Sequence, residues 1–336
     1  LHDLHRISDP WTFLSSFTHY IAFGPGVGGE LVWTTHVAGH PPLTTLIFWM
    51  LARMGLGGGF WAGALCILVA SAASVALPVT LRELGAEAAG RRIVPFIALF
   101  PGAVWMAVSA DGPFAGVAVS GLALVCRGAV RGRIVTSLLG GLLLGVTVFL
   151  SYGLVLFGLV VLLILLLTIR QRDLRSIVVP WLGATAGFIS VAAVHLALGF
   201  NWFDGLAALR VRYSQGIASQ RPYSYFIYAN LAAWLISCSP LLAIGIGRSI
   251  AALTRGRAEQ WAEDRLAALL ALSGVLSALI ADLSGLSKAE AERIWLSFGV
   301  IAYSGLALLR GQSVRLALIA SAIWALLVNH LLNTGW

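Results

Sequence analysis

The stretch "TTHVAGHPPLTTLIFWML", residues 34–51, leads from two histidines and a proline pair directly into an apolar run. Whether that run crosses a membrane decides the orientation of every later segment. Composition sets the frame. The 336 residues are 59% hydrophobic and 11% charged, with mean hydropathy +0.90. Ordinary domains carry about 25% charged residues, so a soluble domain is excluded. Apolar runs recur at about the 20 residues that a membrane-spanning helix needs. The expected fold class is all-α, a polytopic transmembrane helical protein.

Of the 22 basic residues, all but Lys288 are arginine, a bias of GC-rich genomes such as those of actinobacteria. The net charge of +8 does not call for nucleic acid, because its placement reads as topology. Arg82, Arg91, Arg92, Arg127, Arg131, Arg133, Arg170, Arg172, Arg175, Arg248, Arg255, Arg257, Arg265, Arg310 and Arg315 cluster between apolar runs. The positive-inside rule assigns these ends to the cytoplasm. A multi-pass protein of the bacterial plasma membrane follows, with about ten spans. They fall near 61–82, 93–109, 113–129, 134–150, 153–169, 177–198, 227–248, 267–283, 294–309 and 316–332. Residues 134–169 form a hairpin with its outer turn at 150–154.

A crossing by residues 43–57 would flip every later arginine cluster, and Arg53 lies inside that run. The consistent solution is a helix lying in the outer interface. Residues 8–21 read the same way: Trp11, Leu14, Phe17 and Ile21 share a helical face, and Asp9-Pro10 suits an N-cap followed by N1. Residues 1–60 are therefore an external loop with two juxtamembrane helices. Residues 61–336 are the transmembrane helical domain, with an outer loop at 200–226. The abrupt start at "LHDLHRISDP" implies an upstream span. Cys66, Cys126 and Cys238 all fall in apolar runs and read as small buried hydrophobes.

This topology puts all seven histidines, Asp3, Asp111, Asp282 and Glu290 on the outer side. Glu83 and Asp173 fall among cytoplasmic arginines and read as solvated loop charges. Asp111, in "SADGPF", is either a helix N-cap or a functional carboxylate, and both roles can coexist. Glu290 and Arg293 share a helix face; Arg293 is placed to fork onto a phosphate, or the two form only a surface pair. The loop 200–226 offers Arg210, Arg212, Arg221 and Tyr223, suited to a sugar or lipid phosphate and equally to an aromatic belt. A zinc site at His36 and His40 is disfavoured, because His-x3-His needs a helix and Pro41-Pro42 opposes one.

"GHPPL" before a half-embedded helix, "SADGPF" and "EAERIWLSF" resemble the GT-C superfamily. These are polytopic glycosyltransferases that include the family-39 protein mannosyltransferases and the lipid A aminoarabinose transferases. "WTTHVAGHPPL" is similar to a group of actinobacterial integral membrane proteins of that type. Ser297 stands where the resemblance leads one to expect proline.

The resemblance implies an inverting, polyprenyl-phosphate-sugar-dependent transferase of the cell envelope, acting on the outer face. Its acceptor would be a glycan, lipid or protein. Asp3 and Asp111 match the catalytic acids, although the first-loop acid could lie upstream of Leu1. Arg293 matches the residue that meets the lipid phosphate, aided by Glu290, Arg210, Arg212, Arg221 and Tyr223, while His36 and His40 orient substrate. No cofactor is certain and a divalent cation is allowed. A transporter or flippase of lipid-linked glycans, or a non-catalytic relative, is the alternative. A transporter should place its polar residues near mid-membrane in broken helices, whereas this chain gathers them at one side.

Overall fold

The computed structural model describes residues 2–254 and 262–332. Arg255 and Arg257 lie outside them. Among the described residues there is no strand, only a bridge between Gly24 and Val27. A layer of short elements comes first: 3-10 turns at His2–Arg6 and Phe17–Tyr20, and helices α1 (Pro10–Ser16), α2 (Thr35–Ala38) and α3 (Pro42–Arg53). The bundle then runs through α4 (Gly59–Ser71), α5 (Ala73–Glu83), α6 (Glu87–Ala98), α7 (Asp111–Arg131), α8 (Ile134–Leu150), α9 (Gly158–Gln171) and α10 (Leu174–Ala197). It continues with α11 (Trp202–Gln215), α12 (Tyr223–Cys238), α13 (Leu241–Thr254), α14 (Ala262–Leu283), α15 (Ala291–Ile294), α16 (Leu296–Ala302) and α17 (Gln312–Leu331).

Among the described residues six stretches are long and apolar enough to cross a membrane: Gly59–Glu83, Asp111–Arg131, Tyr152–Gln171, Leu174–Ala197, Ala262–Leu283 and Gln312–Leu331. Helices α12 and α13 make a seventh if taken as one span, bent by 99°. That composition is compatible with a membrane protein. The remaining expected spans take other forms. Residues 93–109 hold the end of α6 and a 3-10 turn at Pro101–Trp105. They are parted before Pro101, which disfavours helix in the residue ahead of it. The 227–248 run breaks at Ser239, whose φ is 70°, followed by Pro240. Helix α8 has only 17 residues.

The 294–309 run is α16 and a 3-10 turn at Tyr303–Leu308, and it is enclosed by protein on every side: Leu296, Val300, Ile301, Tyr303 and Leu306 are fully buried. A helix apolar all round marks burial, and hydropathy does not distinguish protein from lipid as the surroundings. The expected hairpin also opens out. Helix α8 packs on α7 and α10, while α9 packs on α14.

Glycines set the closest helix approaches. A Cβ on Gly141 of α8 would lie 1.9 Å from the Ala184 carbonyl oxygen of α10, and one on Gly187 would lie 2.2 Å from that of Leu138. Small residues let membrane-type helices approach backbone to backbone, where van der Waals contact drives association.

The arginine-rich helix ends are held by buried acids. Glu83 accepts from Arg131 Nε at 2.8 Å and Nη2 at 2.9 Å, with Arg82 at 3.3 Å and Arg127 at 4.0 Å. Its side chain is enclosed, so the expectation of a solvated loop charge is corrected; the partners lie up to 48 residues away. Asp264 likewise joins Arg310 at 2.6 Å and Arg92 at 3.1 Å.

The N-terminal layer has its own aromatic core. Asp9 caps α1 by accepting from Thr12 N at 2.9 Å. Phe13, Leu14, Phe17 and Ile21 are buried with Trp33, Phe149 and Phe200, whereas Trp11 is exposed. The apolar face expected to lie on lipid is therefore turned into protein. Residues 200–226 are mostly helix: Asn201 caps α11 by accepting from Phe203 N at 3.0 Å.

Gly141→Ala drives a methyl into the α10 backbone and should destabilise the protein by about 1–3 kcal/mol. A thermal midpoint in nanodiscs lowered by several degrees is the expected result.

Candidate functional site

Three parts of the chain meet at one cavity of about 550 Å³. The N-terminal layer contributes Asp3, His36 and His40; α3 contributes Thr44, Thr45 and Phe48. Helix α4 contributes Gly59, Ala62, Gly63 and Cys66, spaced as one helix face. The turn before α7 ends in Asp111, and Arg293 reaches in from α15. The lining is thus polar at Asp3, His36, His40, Asp111 and Arg293, with Thr44 and Thr45 on α3, and small and mostly apolar along the α4 slot.

Asp111 opens α7, yet its side chain makes no capping bond; the N-cap is Ala110. Gly112 lets the preceding turn fold close, because a Cβ there would sit 2.9 Å from Met106 Cα. Asp111 Oδ2 accepts from Arg293 Nη1 at 2.6 Å across 182 residues, and both side chains are enclosed. Arg293 Nη2 bonds Glu290. Burial acts to lower the Arg293 pKa, but the charges of Asp111 and Glu290 prevail and raise it above its ordinary value, so the guanidinium stays charged. Half-buried Glu292 lies nearby. Burial, with Glu290 and Asp111 as like charges, raises its carboxyl above the usual range.

Asp3 is bound differently. Its Oδ2 accepts from the Thr34 backbone N and hydroxyl, each at 2.9 Å, and its Oδ1 accepts from Arg6 Nη1 at 3.1 Å. Burial acts to raise its pKa, yet these bonds outweigh it and hold the carboxyl below the usual range. Arg6 also lies 4.1 Å over the Trp33 ring and donates to the carbonyls of Leu31 and Val32. Asp3 therefore latches the first turn to the wall that carries His36.

His40 packs edge-on against Phe114 at 5.3 Å between ring centres. Burial lowers its pKa against the opposing charge of Asp111, so the ring is neutral near pH 7. Thr44 Oγ1 donates to the Leu150 carbonyl at 2.8 Å, fixing α3 to the end of α8. His36 lies on four-residue α2, and among the described residues no three of His, Cys, Asp and Glu are grouped to hold a metal ion.

Of the expected site residues, Asp3, His36, His40, Asp111 and Arg293 border the cavity, and Glu290 reaches it through Arg293. Four others stand apart. Arg210 is exposed on α11, and Arg212 lies 4.1 Å over the Phe23 ring. Arg221 donates to the Lys288 carbonyl, and Tyr223 donates to that of Leu283 at 3.2 Å. The last two brace the loop that precedes Arg293.

Asn230 is the centre of that bracing. It donates to Asp282 at 2.9 Å and to the Ser287 carbonyl at 2.6 Å, and it accepts from Ala289 N at 3.0 Å. Asp282 is buried at this contact. Asn230 went unread because it sits in an otherwise apolar helix, and a lone amide there was the available signal. The small residues of the α4 slot were also legible, as "GFWAGALC".

Compared with protein-family models, with curated proteins and with solved structures, the chain has no match.

The latch carries a pH prediction. A carboxyl whose pKa falls on folding stabilises the folded contact above its ordinary value, and loses that contribution as pH drops through the folded one. The Thr34 amide should therefore be protected from hydrogen exchange at neutral pH and deprotected in acid, below the usual carboxylate range. Asp3→Asn should exchange faster at neutral pH and lose the acid step.

Proposed function

We propose that the protein is a membrane glycosyltransferase of GT-C-like architecture, with about ten membrane-embedded helical segments. It would transfer a sugar from a polyprenyl-phosphate donor to a glycan, lipid or protein acceptor at the outer face of the bacterial plasma membrane. One observation carries the reading: Asp3, His36, His40, Asp111 and Arg293, scattered through the sequence, converge on one cavity that the small residues Gly59, Ala62, Gly63 and Cys66 of α4 also line. A lipid-linked phosphate sugar pairs a polar head with an apolar tail.

In the proposed reaction the acceptor oxygen attacks the anomeric carbon and the bond from that carbon to the phosphate oxygen breaks. The electron pair leaves with the polyprenyl phosphate. Arg293 stabilises the charge that develops there. Asp111 receives the acceptor's proton. Arg293 holds its Oδ2 and so aims its second oxygen. Of the two expected carboxylates Asp3 is the weaker candidate for base, because Thr34 and Arg6 occupy both its oxygens; its part is to hold the cavity wall. His36 and His40 orient the substrates. The prolines after His40 start α3, so the imidazole sits at the cavity rather than within a helix.

The test uses protein in nanodiscs with labelled polyprenyl-phosphate mannose and arabinose. Asp111→Asn should lower sugar transfer about 10²–10⁴-fold, the usual contribution of a general base, while donor binding and thermal midpoint show that the fold persists. Equal turnover by the variant would remove Asp111 from the chemistry. Absence of turnover and binding with both donors would count against the transferase.

The slot has its own test. A side chain added at Gly59 meets no protein atom within 4 Å. Gly59→Leu should therefore leave stability unchanged and weaken a long-chain donor at least several-fold more than a short-chain one. An equal effect on both would put the lipid tail elsewhere.

A further inference from the structure

Arg293 is the cation of the cavity, and each of its terminal nitrogens bonds a carboxylate: Nη1 to Asp111 and Nη2 to Glu290. Glu292 adds a third acid to the surroundings. A phosphate that forks onto this guanidinium meets one cation among several anions and competes with the carboxylates already bonded to its two terminal nitrogens.

The two bonded carboxylates differ in their freedom to leave. The Asp111 side chain is 4% exposed and fixed at the first residue of a 21-residue helix. The Glu290 side chain is 34% exposed and extends from the loop between α14 and α15. The backbone of that loop has two successive non-glycine residues in the left-handed region, Ala289 at φ 84° and Glu290 at φ 62°. L-residues rarely adopt this conformation, and it persists where neighbours impose it. Here they do: Asn230 binds Ala289 N and the Ser287 carbonyl, and Arg221 binds the Lys288 carbonyl. On the other side the Glu290 carbonyl accepts from Arg293 N and Ile294 N at 3.2 and 3.1 Å. The main chain is pinned on both sides, and the Glu290 side chain is the part left to rotate towards solvent.

We propose that Glu290 is a built-in competitor for the phosphate: it holds Nη2 of Arg293 until an anionic ligand takes that nitrogen, then turns outward while Asp111 stays. The proposal rests on the reading above only in taking the ligand as a phosphate at Arg293. The consequence is selectivity. A ligand must outbid an attached carboxylate, which a phosphate anchored by an apolar tail does more readily than a free small anion.

The experiment measures binding of farnesyl phosphate and of inorganic phosphate to the whole chain in nanodiscs. Glu290→Gln should bind farnesyl phosphate about ten-fold tighter, equivalent to about 1.4 kcal/mol. Glu290→Asp, too short to keep the bond, should move in the same direction. Glu292→Gln, which removes a charge but no bond to Arg293, should have a smaller effect. Unchanged or weaker binding in both Glu290 variants overturns the proposal, as does failure of wild type and variants to bind either probe.

Tightening without sugar transfer from any donor supports the competitor and sinks the transferase. Transfer without tightening does the reverse. Tightening towards inorganic phosphate alone supports displacement at Arg293 and assigns the site to a free anion rather than a lipid.

Discussion

The buried pair of Asp111 and Arg293 is the contact on which the rest of the site depends. It ties the start of α7 to the segment leading into α16, a helix whose every residue is buried. Burying two charges costs several kcal/mol per ion, and removing one partner from such a pair typically costs about 3–5 kcal/mol. Hydrophobic residues would hold these helices together as well or better. An ion pair kept at the end of an apolar core, beside a cavity, is therefore poorly explained by stability alone and well explained by use.

Charge is distributed oppositely at the two ends of the bundle. At the arginine-rich end Glu83 and Asp264 are each surrounded by more than one arginine. Each buried acid there is saturated, and the surplus is cationic. Around Arg293 the surplus is anionic, with Asp111, Glu290 and Glu292 on one guanidinium. The first arrangement is stable as it stands. The second favours any change that brings a further positive group or removes a negative one, as expected of groups that exchange partners.

What the sequence made legible follows from how far apart the relevant partners lie. Asp9 could be read as a cap because it bonds Thr12, three residues on. Asp111 and Arg293 stood out singly, since a charge beside an apolar run is expensive wherever it points, but their union across 182 residues was not readable. Glu83 was misread for the same reason: Arg131, which grips both its oxygens, comes from another helix 48 residues on. The number of long apolar helices differs from the number of apolar runs for another reason. Residues 294–309 are as apolar as a lipid-facing helix because protein surrounds them, and the Ser239–Pro240 break is two residues within an apolar run. The helix at Trp202–Gln215 was hidden by a composition that reads as aromatic belt.

The opening histidine–proline stretch can be placed by the same reasoning. Pro42 is at the first turn of α3, where its missing N–H is no loss, and the extended Pro41 sets His40 off the helix. Thr44 ties the turn to Leu150, Trp49 donates to the Ile7 carbonyl at 3.1 Å, and Asp3 ties the first turn to Thr34. These bonds join residues 31 to 106 apart in sequence and add to the aromatic core around Phe17 and Trp33, and among the described residues both the layer and the bundle line the cavity. The layer is held by hydrogen bonds and an aromatic core, and α8 and α10 by the backbone-close approach of Gly141 to Ala184. Asp111 is thus carried by the bundle, and His36 and His40 by the layer. A ligand touching both would add contacts across their seam, at the entropic cost of each side chain it orders.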